Sequence, residues 1–130
     1  MNGAMLPGIA DTIVAQATAG ARSALAVIRV SGADAHRIGR ILLQPWRATP
    51  NRAYLAVLHD PESGREIDQG IITVFAAPAS FTGEDMIELS LHGGEIGPAL
   101  AVNAILASGA RSALPGEFTR RALMHGKLDL

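Results

Sequence analysis

The stretch SALAVIRVSG, residues 23–32, is β-branched and almost continuously apolar from Ala24 to Val30, and it predicts a strand. The chain then changes period. In SGADAHRIGRILLQP, Ile38, Ile41 and Leu42 recur at helical spacing, and Pro45 ends the run. Ser31 with Asp34 three residues later reads as a capping box for that helix. A strand that runs directly into a helix restricts the chain to folds in which the two share one core.

The remaining segments extend that pattern. DTIVAQATAG reads as a strand ended by a turn at Gly20. Residues 54–59 and 67–75 read as the arms of a hairpin around the turn-rich 60–64, and AAPASFTGED as a loop. MIELSLH, residues 86–92, is a further strand that stops at Gly93-Gly94. EIGPALAVNAILASGA predicts a helix with Ala99, Leu100, Ala104 and Leu106 on or near one face and Gly109 as its C-terminal cap. A short strand at 112–114 leads into a closing helix opened by Pro115-Gly116. Strands and helices alternate but hairpins intrude. The expectation is therefore one α/β (α+β) domain with a mixed sheet of about five strands and about three helices.

Composition sets limits on function. Of 130 residues, 48% are apolar and 18% charged, a globular balance. Eleven basic side chains oppose twelve acidic ones, which argues against a domain whose main task is gripping a phosphate backbone. With no cysteine there is neither a disulfide scaffold nor a thiolate metal site. The first ten residues carry no Lys or Arg and read as a flexible leader rather than a secretory signal. No apolar run approaches the roughly 18–20 residues needed to cross a bilayer. The expected location is cytoplasmic.

Several familiar chemistries fail on spacing. Gly126-Lys127 is the one Gly-Lys pair, yet Arg121 stands where a P-loop needs its first glycine and Leu128 where Ser or Thr must follow. There is no Gly-x-Ser-x-Gly elbow. His36, His59, His92 and His125 lie in different segments without metal-ligand spacing, so no metal site is expected. His92-Gly93-Gly94 has the layout of an anion-binding turn but lacks the third glycine of a dinucleotide fingerprint.

Two charged residues stand inside strands. Arg29 shares its strand face with Leu25, Val27 and Ser31, while Ala26, Ile28 and Val30 point the other way. Such an arginine is either an edge or ion-pair residue or one whose head reaches a cleft. Glu88, with Ser90 and His92, opposes the apolar face of Ile87, Leu89 and Leu91. It belongs either to a solvated sheet face or to the mouth of a pocket, where a carboxylate accepts two parallel hydrogen bonds from a flat N–H/NH₂ edge. In PGEFTRRALMHGKLDL, Phe118, Ala122 and Leu123 face inward and Glu117 can pair with Arg121, on a helix that is otherwise charged.

Taken together, DTIVAQAT, LAVIRVSG, SFTGEDMIELSLHGG and PGEFTRRALMHGKLDL resemble, in order and spacing from Asp11 to Leu130, the N-terminal domains of the MnmE/TrmE family of tRNA-modification GTPases. The resemblance implies a module similar to the folate-binding domain of aminomethyltransferases, which binds a tetrahydrofolate derivative (5-formyl or 5,10-methylene) and carries a homodimer contact. It implies folate contacts at Arg29, Glu88 and Lys127, with no catalytic residue of the domain's own. It further implies an FAD-dependent GidA/MnmG-type partner and modification of carbon 5 of wobble uridine in tRNA. The helical and GTPase domains, with their GTP, Mg²⁺ and K⁺, are expected beyond this chain. The matching division is a leader at 1–10, the folate-binding and dimerisation domain at 11–118, and the start of a connection at 119–130. One departure stands out: Leu123, Met124 and His125 replace the family's usual Phe-Leu-Asn before Gly-Lys. An assembly module with weakened folate binding, or a stand-alone aminomethyl-transferring enzyme, are the alternative readings.

Overall fold

The computed structural model describes residues 10–17 and 25–127. The leader expected at 1–10 therefore falls, except for Ala10, outside the described residues, as do the turn expected at Gly20 and the last three residues. The elements run β1 (Ile13–Gln16), β2 (Leu25–Ser31), α1 (Ala35–Leu42), β3 (Leu43–Gln44), β4 (Ala53–His59), β5 (Glu66–Phe75), β6 (Met86–His92), α2 (Ile96–Ala107), β7 (Arg111–Ser112) and α3 (Glu117–Met124).

All seven strands join one sheet in the order β3-β4-β5-β6-β2-β1-β7. Every pairing is antiparallel except β1 with β7, so the sheet is mixed, as expected. It has seven strands rather than about five. Among the described residues β3 and β7 are two residues long: β3 exists through pairing with β4, which no local pattern announces, whereas β7, paired with β1, lies at the start of the short strand expected at 112–114.

Helices α1 and α2 lie on one face. There Ala35, Ile38, Leu42, Ala101, Ala104 and Ile105 close over Val14, Ile28, Val30, Leu58, Ile72, Val74, Ile87, Leu89 and Leu91. Ile28, Ile38, Ile72 and Ile105 are fully buried, each worth about 1.5–3 kcal/mol against exposure. This layer is why β2 and β6 read as nearly continuous apolar runs.

Two local expectations are corrected. Ser31 is not a helix cap: it is the last residue of β2, and its Oγ lies 2.7 Å from Thr82 Oγ1 and donates to Glu84 Oε1. Asp34 takes the N-cap position, and its backbone N–H is satisfied instead by Thr12 Oγ1 at 3.0 Å. On α2 the buried face is Pro98, Ala101, Ala104 and Ile105, while Leu100 is exposed. IGPALAVNAILA is apolar nearly all round, so periodicity could not select a face. Gly109 does end the helix, with φ +118 and its N–H on the Leu106 carbonyl.

The other sheet face is covered at one end only. Loop 76–85 and α3 close over Ile13, Ser31 and Met86. Further along, Leu25, Leu55 and Ile71 remain exposed. No helix among the described residues is long and apolar enough to cross a membrane.

Candidate functional site

Arg29 and Glu88 meet because β2 and β6 pair in a register that sets them directly opposite. The same cross-strand row continues to Ala15 on β1 and to Thr73 and Ala53 on β5 and β4. Arg29 Nε donates to Glu88 Oε2 at 2.9 Å, with the two side chains 37% and 28% exposed. A pair this open contributes little to stability by itself. Chemically, it leaves much unused. Among the described residues its hydrogen bond occupies Nε alone, which leaves both Nη groups of Arg29 and Oε1 of Glu88 for a ligand.

Arg29 also lines a cavity of about 390 Å³ bounded by Ala15, Gln16, Leu114, Glu117 and Phe118. On its other side the guanidinium lies 6.0 Å from the centroid of Phe81, in loop 76–85. The hollow itself is thus lined by one cation, Arg29, one carboxylate, Glu117, and one aromatic ring, Phe118, while Glu88 and Phe81 adjoin it through their contacts with Arg29. Such a lining suits a flat heterocycle with an N–H/NH₂ edge.

The walls of this hollow are fixed by a buried charge network. Gly116, at φ +73, makes the turn into α3 and brings Glu117 beneath the surface. Glu117 accepts from Arg111 Nη1 at 2.8 Å and Nη2 at 2.7 Å, from Leu114 N–H at 2.9 Å and from Arg121 Nη2 at 3.0 Å. The Arg111 hydrogen bonds, outweighing burial, hold the Glu117 carboxyl at about 2, below its ordinary 4.5. Arg121 is fully buried and reaches Glu84 with Nη1 at 3.0 and 3.2 Å. Since Glu84 also accepts from Ser31, the network ties β2, loop 76–85, α3 and β7 together.

The side-chain contact that Lys127 makes is with loop 76–85. Its Nζ donates to the Pro78 carbonyl at 3.1 Å, and His125 Nδ1 donates to the Thr82 carbonyl at 2.9 Å. Both hold loop 76–85, at backbone carbonyls on either side of Phe81 in the chain. Gly83, at φ +84, allows this approach: a Cβ there would stand 2.8 Å from His125 Cβ. His125 thus has a structural place where the family's usual residue differs. Phe118 and Leu123 are half-buried and Ala122 fully so, in line with the inward face expected for α3.

Reading the sequence alone missed Phe81 and the burial of Glu117 and Arg121. The signal for the latter was the Glu117/Arg121 spacing, which gives the pair but not its burial, because its third member, Glu84, is 37 residues away in the chain. His92 pairs with Asp68 at 2.8 Å on the exposed part of the sheet. Among the described residues, no three His, Asp or Glu side chains cluster as metal ligands.

Residues 12–127 match the family model described as GTP-binding protein TrmE N-terminus. The chain is 48% identical over 126 residues to the tRNA modification GTPase MnmE of Salinibacter ruber, covering 92% of this chain and 26% of that protein. It is 46% identical over 121 residues to the protein of the same name from Parvibaculum lavamentivorans, covering 92% and 28%. The Aeromonas salmonicida protein of that name is also 46% identical over 121 residues, covering 92% and 26%. The chain thus spans about a quarter of the length of these curated relatives.

Proposed function

The chain belongs to the TrmE N-terminal domain family, and on that premise we propose that it binds a tetrahydrofolate derivative and associates with a second copy of itself. The observation that carries the ligand reading is the Arg29–Glu88 pair, with unused donors and an unused acceptor at the edge of a cavity lined by Phe118. Glu88 holds the aminopyrimidine edge of the pterin, and Arg29 turns its Nη groups to a ring or one-carbon oxygen. Phe81 and Phe118 flank the rings. Lys127 acts with the donors not used on Pro78, either on a tail carboxylate or by holding loop 76–85. When bound, 5-formyl- or 5,10-methylene-tetrahydrofolate supplies a one-carbon unit. The side chains named here bind and orient it, and none is assigned a bond-making step.

Self-association is supported by the open sheet face. Leu55 and Ile71 lie opposite each other with Ser90 and Val27 in the row next to Arg29–Glu88, about 7 Å along the strands, and Leu25 is also exposed. A second copy on that face would shield the pair from water and strengthen its polar contacts. For the longer protein we propose the role its relatives are named for, tRNA modification by a GTPase. In that role the wobble uridine would be the target and a GidA/MnmG-type flavoprotein the partner. GTP, Mg²⁺ and K⁺ would sit in other domains, and the protein would be cytoplasmic.

Isothermal titration with 5-formyltetrahydrofolate tests the ligand reading. The native chain is expected to bind, and Glu88→Gln to weaken binding about tenfold or more through loss of one charge-assisted contact. A second reading, an assembly module without folate, draws on the fact that Arg29 and Glu88 already satisfy each other in part. A dimer in sedimentation together with a flat titration would establish that reading and overturn the first.

A further inference from the structure

A second cavity of about 390 Å³ lies at the sheet edge where β4 begins, lined by Arg47, Thr49, Arg52, Ala53 and Tyr54. Strands β5 and β6 separate β4 from β2, so this hollow is distinct from the cavity beside Arg29. Arg47 is fixed from two directions: its backbone N–H donates to Tyr54 Oη at 3.0 Å, and its guanidinium lies 5.8 Å from the Tyr54 ring centroid. Among the described residues no carboxylate lies within ion-pair distance of Arg47 or Arg52, nor of Arg40 or Arg65, whereas Arg29, Arg37, Arg111, Arg120 and Arg121 each have at least one.

Two guanidinium groups that share one hollow repel each other until an anion enters between them. A guanidinium carries five N–H donors in a planar fork, a geometry that matches phosphate oxygens, and Thr49 adds a hydroxyl. Tyr54 is already engaged, with Arg47 over its ring and its body packed against the core. It is therefore a poor platform for a nucleobase. Charge and fork geometry are what the site can recognise.

We propose that the Arg47–Arg52 hollow binds a phosphate group, as a mono- or diester, through its charge and oxygens and without reading a base. The group has two possible sources, a free phosphorylated small molecule or the backbone of an RNA. The near-neutral net charge does not argue against a site of one or two phosphates, since such a site needs only local cations.

The test is a heteronuclear NMR titration of the ¹⁵N-labelled full chain with inorganic phosphate and, separately, with an RNA hairpin across a salt series. Both arginines are exposed, so Arg47→Gln/Arg52→Gln should fold, and an unchanged circular dichroism spectrum verifies this. The expected result is amide shifts centred on residues 47–54 that weaken about tenfold or more in the double variant. Response to phosphate but not to RNA assigns a small-molecule source. Response to RNA with a salt slope reduced by about one to two in the variant assigns the backbone. Silence at residues 47–54 toward both probes, or shifts unchanged in the double variant, would overturn the proposal. It does not depend on the folate reading.

Discussion

Arg121→Met removes a fully buried cation that joins α3 to loop 76–85 while keeping a side chain of similar length. The size of the loss follows from what each former partner retains. Glu117 keeps both Arg111 bonds and the Leu114 N–H, so it stays satisfied. Glu84 loses two hydrogen bonds and, among the described residues, its only cation, keeping the Ser31 hydroxyl. Breaking a buried pair by deleting one partner costs roughly 3–5 kcal/mol, and the 15% exposure of Glu84 places this case near the lower end, about 3 kcal/mol. Urea unfolding followed by the fluorescence of Trp46, the one tryptophan, measures it. With a slope of about 2 kcal/mol per molar, the midpoint should fall by about 1.5 M and the slope should hold. Adding Glu84→Gln removes the stranded charge and should recover about 1–2 kcal/mol. A loss below about 1 kcal/mol is what an exposed pair gives. That result, or no recovery in the double variant, would refute the buried network.

Three further outcomes follow from the same geometry. The Glu117 carboxyl is depressed in the fold, so its contribution is complete above pH 4.5 and is lost as pH falls from there toward about 2. At about 1.36 kcal/mol per pH unit the gap amounts to about 3 kcal/mol, and Glu117→Gln should flatten that acid limb in pH-resolved unfolding. Gly83→Ala places a Cβ against His125 at a positive φ and should cost about 1–3 kcal/mol in urea midpoint. Leu55→Asp with Ile71→Asp should convert a dimer to a monomer in sedimentation with an unchanged circular dichroism spectrum, because both side chains are exposed in the single chain.

How much of this was legible depended on how local each cause was. Strands β2, β5 and β6 were readable because their apolar runs report burial under α1 and α2 directly. Arg29 and Glu88 could each be singled out as charges in apolar strands, but their pairing needed the β2–β6 register. Ser31 was misread as a cap because its partners, Thr82 and Glu84, lie more than fifty residues away. The same distance effect hid Arg121, whose neighbours in the chain look solvated. Lys127 was grouped with Arg29 and Glu88 through family resemblance, and only coordinates reveal that Lys127 and Arg29 each contact loop 76–85.

The claim on which the functional account rests is that the free Nη and Oε1 atoms of Arg29 and Glu88 serve a ligand. The Nε–Hε resonance of Arg29, identified by its loss in Arg29→Lys, reads this directly during titration with 5-formyltetrahydrofolate. The account predicts that it shifts in step with the Phe81 and Phe118 ring signals and that the ligand-induced shift is much reduced in Glu88→Gln at the same sub-saturating ligand concentration. An Arg29 resonance that remains fixed while the ligand binds elsewhere would contradict it.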